Sequence, residues 1–348
     1  VVICTPTDTH ADLIERFARA GKAIFCEKPI DLDVKRVEDC LAVVRKAGAT
    51  LMVGFNRRFD PHFAAVRKAI DEGVIGKVEQ VVITSRDPGP PPIEFCGIEL
   101  AHPVLNASGT FDAIAARRVY GDALLERFPF SAFVSKTITP EPRTGNEPQR
   151  IWETPAGMIN SIGLPNKGLD GFLAQDLPQL AELPVPLIVS VMATGHAEFA
   201  RLVDGVGRRD EVAAIELNVS CPNVHSGLIV GEQPSETAAL LEALRPLTEK
   251  PLIVKLTPNV ANPADVAVAA EEGGADAVSL INTLKASAID PSTGEPGIAA
   301  GHGGLSGPAV RPIAIAQLRA VAAAVAIPIV GMGGISCGAD AIEMLSAG

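Results

Sequence analysis

The stretch Ile215–Gly227, IELNVSCPNVHSG, starts as a buried strand and turns polar within a few residues, with Asn218, Ser220, Cys221 and Asn223 in quick succession. Pro222 blocks its continuation as strand or helix. Amides and a thiol are a costly way to end a core element unless something polar sits against them. Outward from it, the same alternation of apolar run and amphipathic stretch repeats. The pattern predicts strands at 103–108 (PVLNAS), 132–137 (AFVSKT), 187–192 (LIVSVM), 214–220 (AIELNVS), 252–257 (LIVKLT), 277–282 (AVSLIN) and 327–334 (IPIVGMGG). A helix over 339–346 follows, and the sequence stops where an eighth strand is expected. Short apolar strands separated by helices indicate a parallel sheet. The expected fold is therefore α/β: an eight-fold (β/α)8 TIM barrel, ~250 residues in typical cases, lacking its last strand-helix unit.

A second α/β pattern precedes it. VVICTP, AIFCEKP, LMVGF and VEQVVITS read as strands, and 11–20, 34–47 and 62–72 read as helices with apolar residues three or four apart. The run RDPGPPP, 86–92, ends any regular element. The division is expected there, with residues 1–92 a partial Rossmann-type fragment and residues 93–348 the barrel. A chain opening inside a strand, with no charged leader, reads as shortened at its start and without a signal peptide.

Charge and composition narrow the function. The net charge is −11, and residues 1–92 carry 14 basic and 13 acidic side chains, so the acidity lies in the barrel. That argues against a nucleic-acid partner. The most apolar window, 321–335, is too short and too broken by Pro328 and glycines to cross a bilayer, so no membrane association is expected. The six cysteines show no metal-binding spacing, so no metal is expected and a reduced, cytoplasmic setting is.

A barrel's active site lies at the C-terminal tips of its strands. The tips carry Asn106, Ser108, Ser135, Lys136, Thr137, Ser190, Asn218, Cys221, Lys255, Asn282, Thr283, Gly331, Gly333 and Gly334. One such residue is an ordinary loop residue; many tips agreeing describe a polar mouth. Lys136 and Lys255 place positive charge there, suited to an anion or an electron-rich ring. The GMGG turn lets backbone N–H groups approach a phosphate. Cys221 can act as a base if cationic neighbours draw its pKa toward neutrality, or it can be a small buried hydrophobe.

The segments KTITPEPRTGNEPQRIWET, GMINSIGLPNKG, ELNVSCPN, VKLTPN, INT, GGLSGPA and GMGG occur in an order and at a spacing that resemble class 1 dihydroorotate dehydrogenases. Cysteine at 221 is similar to class 1, and EPRTGN…ET to class 1B. The resemblance implies oxidation of dihydroorotate to orotate in pyrimidine (UMP) biosynthesis. It implies FMN held by Ser108, Lys136, Thr137, Asn218, Lys255, Ile281, Gly307, Gly333 and Gly334. It places orotate on Lys136, Asn160, Ser161, Ile162, Gly163, Leu164, Asn218, Asn282 and Thr283. It makes Cys221 the base for the C5 proton while a hydride passes from C6 to FMN. It further implies a homodimeric core and an electron-transfer subunit carrying FAD and an iron-sulfur cluster, with NAD as acceptor. The family's further strand, ending in a Gly-Thr pair at the phosphate, is not reached before Gly348. A dihydropyrimidine dehydrogenase-like flavoenzyme is the nearest alternative.

TPTDTH (5–10) and EKP (27–29) resemble the glucose-fructose oxidoreductase and inositol 2-dehydrogenase family, and GFNRRFDPHF with SRDPGPPP is most similar to inositol dehydrogenase. That resemblance makes Lys28 a remnant of a catalytic centre, often next to a cis proline bond. A further alternative is thus an NAD-dependent inositol 2-dehydrogenase remnant in a non-functional fusion.

Overall fold

Alternation along single strands decides what each face of the structure touches. The computed structural model describes residues 1–55, 61–74, 92–219 and 230–348, with backbone only at 61–63. The chain divides into two compact units, Val1–Arg86 and Asp87–Gly348. The expected strand VEQVVITS and most of the proline run lie outside the described residues.

In the first unit, β1 (Val2–Ile3), β2 (Ile24–Cys26) and β3 (Leu51–Val53) form a parallel sheet in that order. The helices His10–Arg19 and Val34–Ala47 pack on it, and Pro61–Asp71 forms a third helix. Asp33 caps the second helix, accepting from the Lys35 and Arg36 N–H groups. Ile3, Ile14, Ala18, Ile24, Cys26, Cys40 and Val44 make a small core. At its edge the Arg36 guanidinium binds the carboxylates of Asp12 and Glu15. The hydrogen bond from Arg36 holds the Glu15 carboxyl below its ordinary pKa.

The second unit opens with an antiparallel hairpin, β4 (Ile93–Phe95) and β5 (Ile98–Leu100). β6 (Phe133–Val134) follows, then β7 (Ile151–Thr154) and β8 (Gly157–Asn160). The remaining strands are β9 (Leu187–Val191), β10 (Val212–Asn218), β11 (Leu252–Lys255), β12 (Ala277–Leu280), β13 (Leu284–Ala286), β14 (Gly303–Ser306) and β15 (Ile329–Gly331). The principal sheet is parallel, in the order β15-β12-β11-β10-β9-β6. Neighbours in space follow the order of the chain, so the sheet winds one way only, as in a barrel and unlike a doubly wound sheet. The antiparallel sheet β13-β14-β8-β7 is built from excursions between those strands.

Successive side chains of a strand face opposite sides. On β10, Ile215 and Leu217 face outward to join Val189, Val254 and Val278 against helix residues such as Phe199, Leu202, Leu240 and Leu244. Ala214 faces inward with Val134, Ile188, Ile253 and Ala277, and all of these close on Phe95 and Leu100 of the hairpin. One hairpin touching five strands requires the sheet to curl around it. The barrel interior is thus plugged by apolar side chains at the N-terminal ends of its strands.

The expected strand at 103–108 forms no ladder, which corrects seven parallel strands to six. Pro103 lacks an N–H, and Asn106 substitutes for the missing pairing. Its Nδ2 donates to the Val134 carbonyl at 2.8 Å, and its Oδ1 accepts from the Val134 N–H at 2.9 Å. A side-chain amide has the donor and acceptor of a peptide group, so it closes the edge of β6. Replacing Asn106 with Leu strands both Val134 groups in a buried site, and unfolding by denaturant is expected to show a loss of about 2 kcal/mol.

Candidate active site

Two residues above the apolar plug, the inward-facing positions become polar. Ser190, Glu216, Lys255 and Ser279 are each at most 5% exposed. Ser190 Oγ donates to Glu216 Oε1 at 2.9 Å, Ser279 Oγ donates to Oε2 at 3.2 Å, and Lys255 Nζ lies 3.7 Å from Oε1. Thr137 Oγ1 lies 2.9 Å from Ser190 Oγ and 3.0 Å from Ser108 Oγ, and Ser108 Oγ donates to the Ser135 carbonyl at 2.8 Å. Two residues beyond Glu216 on β10, Asn218 is in register with Lys255. Its Nδ2 donates to Thr137 Oγ1, and its Oδ1 accepts from Asn282 Nδ2, both at 3.3 Å. Ser108, Thr137, Asn218, Lys255 and Asn282 are therefore brought together.

Other predicted residues gather through the antiparallel sheet. Asn160 Nδ2 donates to the Gly304 carbonyl, and a Cβ on Gly304 would come 2.0 Å from Thr283 Oγ1, so Asn160 and Thr283 flank one backbone position. The Thr283 N–H donates to Asn282 Oδ1 at 2.8 Å. The run Ser161–Leu164 is stapled to its neighbours. Asn146 donates to Ser161 Oγ, the Asn146 N–H to the Ile162 carbonyl and the Ser161 N–H to the Arg150 carbonyl. Gly163 and Leu164 have φ of 78° and 53°. Lys136, just beyond β6, is exposed. Cys221 lies outside the described residues, as do Ser220 and Asn223. The Val219 carbonyl accepts from the Gly231 N–H at 3.0 Å.

The glycines converge beyond β15. Gly334 has φ 74°, and a Cβ there would meet the Arg311 Cβ at 2.7 Å and the Gly307 carbonyl at 3.0 Å. Gly307 has φ 98° and no room for a Cβ against the Gly157 Cα. Both positions demand glycine for conformation and for space. Ile281, whose N–H donates to the Met332 carbonyl, packs against Gly333. A narrow backbone turn after β15, in a sheet that also carries a buried lysine and two amides, suits a flat, phosphorylated cofactor: N–H groups for the anion, donors for ring edges.

Asp340 braces this turn. Its carboxylate accepts from Ser336 Oγ at 2.7 Å and from the Ser336 and Cys337 N–H groups, and it pairs with Arg311. The Ser336 hydroxyl foremost, then its N–H, with Cys337 and Arg311 adding less, pull the Asp340 carboxyl from 3.8 down to about 2. Sequence reading missed Asp340 and Glu216. A charged residue between Ile215 and Leu217, in an otherwise apolar strand, was the available signal for Glu216.

In the first unit, the ring nitrogens of buried His10 lie 2.7 Å from the Thr5 carbonyl and 2.8 Å from the Pro29 carbonyl. His10 thereby ties TPTDTH to EKP. The Lys28–Pro29 bond is cis, and Lys28 is exposed. Among the described residues no group of metal-ligating side chains forms a metal site, and no helix is long and apolar enough to cross a membrane.

A curled parallel sheet with a buried lysine, amides and a glycine turn toward the C-terminal ends of its strands is the architecture of a barrel enzyme. Comparison with known proteins resolves the class. Residues 92–348 match the family model described as dihydroorotate dehydrogenase, and residues 1–55 match the one described as an oxidoreductase family with an NAD-binding Rossmann fold. Catalytic subunits of dihydroorotate dehydrogenase B (NAD(+)) are similar to this chain. That of Pelobacter propionicus is 43% identical over 257 residues, covering 74% of this chain and 83% of its own. That of Desulforudis audaxviator is 44% identical over 257 residues, covering 74% and 82%. A Solibacter usitatus protein provisionally named as a dihydroorotate dehydrogenase A (fumarate) is 44% identical over 255 residues, covering 73% and 83%. The chain belongs to the dihydroorotate dehydrogenase family and is an oxidoreductase of that family.

Because the folded pKa of Asp340 is depressed, its brace is complete above about pH 4 and is lost as pH falls toward 2. Asp340→Asn is expected to melt at a lower temperature than the wild type at pH 5. The gap should close between pH 4 and pH 2 in a series of thermal melts.

Proposed function

We propose that the barrel unit binds FMN and oxidises dihydroorotate to orotate, serving pyrimidine (UMP) biosynthesis. The observation that carries this reading is the continuous polar layer linking Ser108, Thr137, Ser190, Glu216, Asn218, Lys255 and Asn282 across six segments of the barrel unit. FMN, when bound, supplies the acceptor for the hydride leaving C6. The Gly333–Gly334 turn with Gly307 would take its phosphate, Ser108, Thr137 and Ile281 would border it, and Lys255 and Asn218 would meet its ring edge. Lys136, Asn160, the run 161–164, Asn282 and Thr283 would orient the carboxylate and imide edges of the substrate. Unmatched donors among them would penalise ligands lacking those edges. The Cys221 thiolate would take the C5 proton. C5 loses a proton and C6 a hydride, leaving the double bond of orotate.

Within this reading the division of labour falls at 92/93, and Lys28 and its unit take no part in the chemistry. Reoxidation passes to an electron-transfer subunit with FAD and an iron-sulfur cluster, and from there to NAD. The similarity to catalytic subunits of B-type enzymes supports this, and a cytoplasmic setting is part of the same reading. A homodimer is the expected core. Uracil turnover without dihydroorotate turnover would instead favour a dihydropyrimidine dehydrogenase-like enzyme, and inositol oxidation would assign a function to Lys28.

Purified protein loaded with FMN should lose its visible absorbance on anaerobic addition of dihydroorotate. Cys221→Ala should keep the flavin and bleach about a hundredfold or more slowly, measured by stopped flow. Equal rates would remove Cys221 from the mechanism.

A further inference from the structure

We propose that Glu216 is a positioning residue, holding Lys255 in place and offsetting its charge so as to set the reduction potential of the bound flavin. This rests on the FMN reading above.

Glu216 is 3% exposed, inward-facing on β10, one level below Asn218. Both of its oxygens are engaged from three other strands: Oε1 by Ser190 of β9 and Lys255 of β11, Oε2 by Ser279 of β12. Lys255 is as deeply buried, at 5%. Taking two charges out of water costs several kcal/mol for each ion, and apolar residues of similar volume often hold a core better. The layer directly below shows that this interior accepts such residues, since Ala214, Ile253 and Ala277 precede Glu216, Lys255 and Ser279 by two positions on the same strands. The sheet therefore does not need the pair for packing. What the pair supplies is a lysine fixed at the mouth with its charge largely balanced.

A balanced ammonium presents a dipole to the ring edge, whereas a bare one presents a full charge in a low-dielectric site. A bare cation stabilises a reduced, anionic ring more. Removing the carboxylate should thus make the flavin easier to reduce and harder to reoxidise. Glu216→Gln keeps the shape and the acceptor for Ser190 while removing the charge.

The test uses the full chain loaded with FMN and potentiometric titration of the flavin absorbance. For Glu216→Gln the expected shift is to a more positive potential, by at least a tenfold change in the two-electron equilibrium, about 30 mV. Glu216→Asp, which keeps the charge but withdraws it by one methylene, should shift partway in the same direction. It decides the matter alone if the Gln variant does not fold. In a Lys255→Met background, Glu216→Gln should not reproduce the shift, because the two residues act as one unit. An unchanged or more negative potential in the Gln and Asp variants, or an identical shift without Lys255, overturns the proposal. If the wild type binds FMN and is reduced by dihydroorotate, such a result refutes only the role of Glu216. If the wild type does neither, the underlying reading falls and this proposal with it.

Discussion

Two-residue alternation along parallel strands organises the barrel unit. The same strands that bury Ile188, Ala214, Ile253 and Ala277 on the hairpin place Ser190, Glu216, Lys255 and Ser279 one level higher. The lower level is apolar and excludes water, and the upper level is charged and hydrogen-bonded. A register slip of one residue would send Glu216 and Lys255 into the helix-packed outer layer, where nothing could satisfy them. The outer core of Ile215, Leu217, Val254 and Val278 thus fixes the position of the site, although none of these residues belongs to it.

The parts of the fold readable in the sequence were those encoded by local periodicity. Six of the seven expected parallel strands, and the helices Val34–Ala47 and Gly338–Leu345, follow from apolar spacing within about one turn or strand. The segment 103–108 has the composition of a strand, but its pairing runs through the Asn106 side chain, which no periodicity records. The antiparallel sheet of β7, β8, β13 and β14 was not legible because its strands are short and contributed by segments more than a hundred residues apart. The candidate site divides in the same way. Residues at strand tips announce themselves where an apolar run ends in a polar side chain. Glu216 lies inside such a run, and Asp340 begins a helix as an ordinary acidic first-turn residue, so the role of each depends on partners distant in sequence, Lys255 and Arg311.

The first unit shows how far local pattern carries. Its sheet, its helices and the His10 bridge between Thr5 and Pro29 form around their own small core. Its match to an NAD-binding Rossmann family covers residues 1–55. Within those residues lie the EKP segment and its cis bond.

A crystal structure grown with FMN and orotate tests the central claim most directly. The account predicts a flavin whose phosphate sits at Gly307, Gly333 and Gly334 and whose ring edge meets Asn218 and Lys255, with orotate against Lys136, Asn160 and Asn282. Flavin density elsewhere on the chain, or a mouth in which Lys136 and Lys255 face away from any ligand, would contradict it.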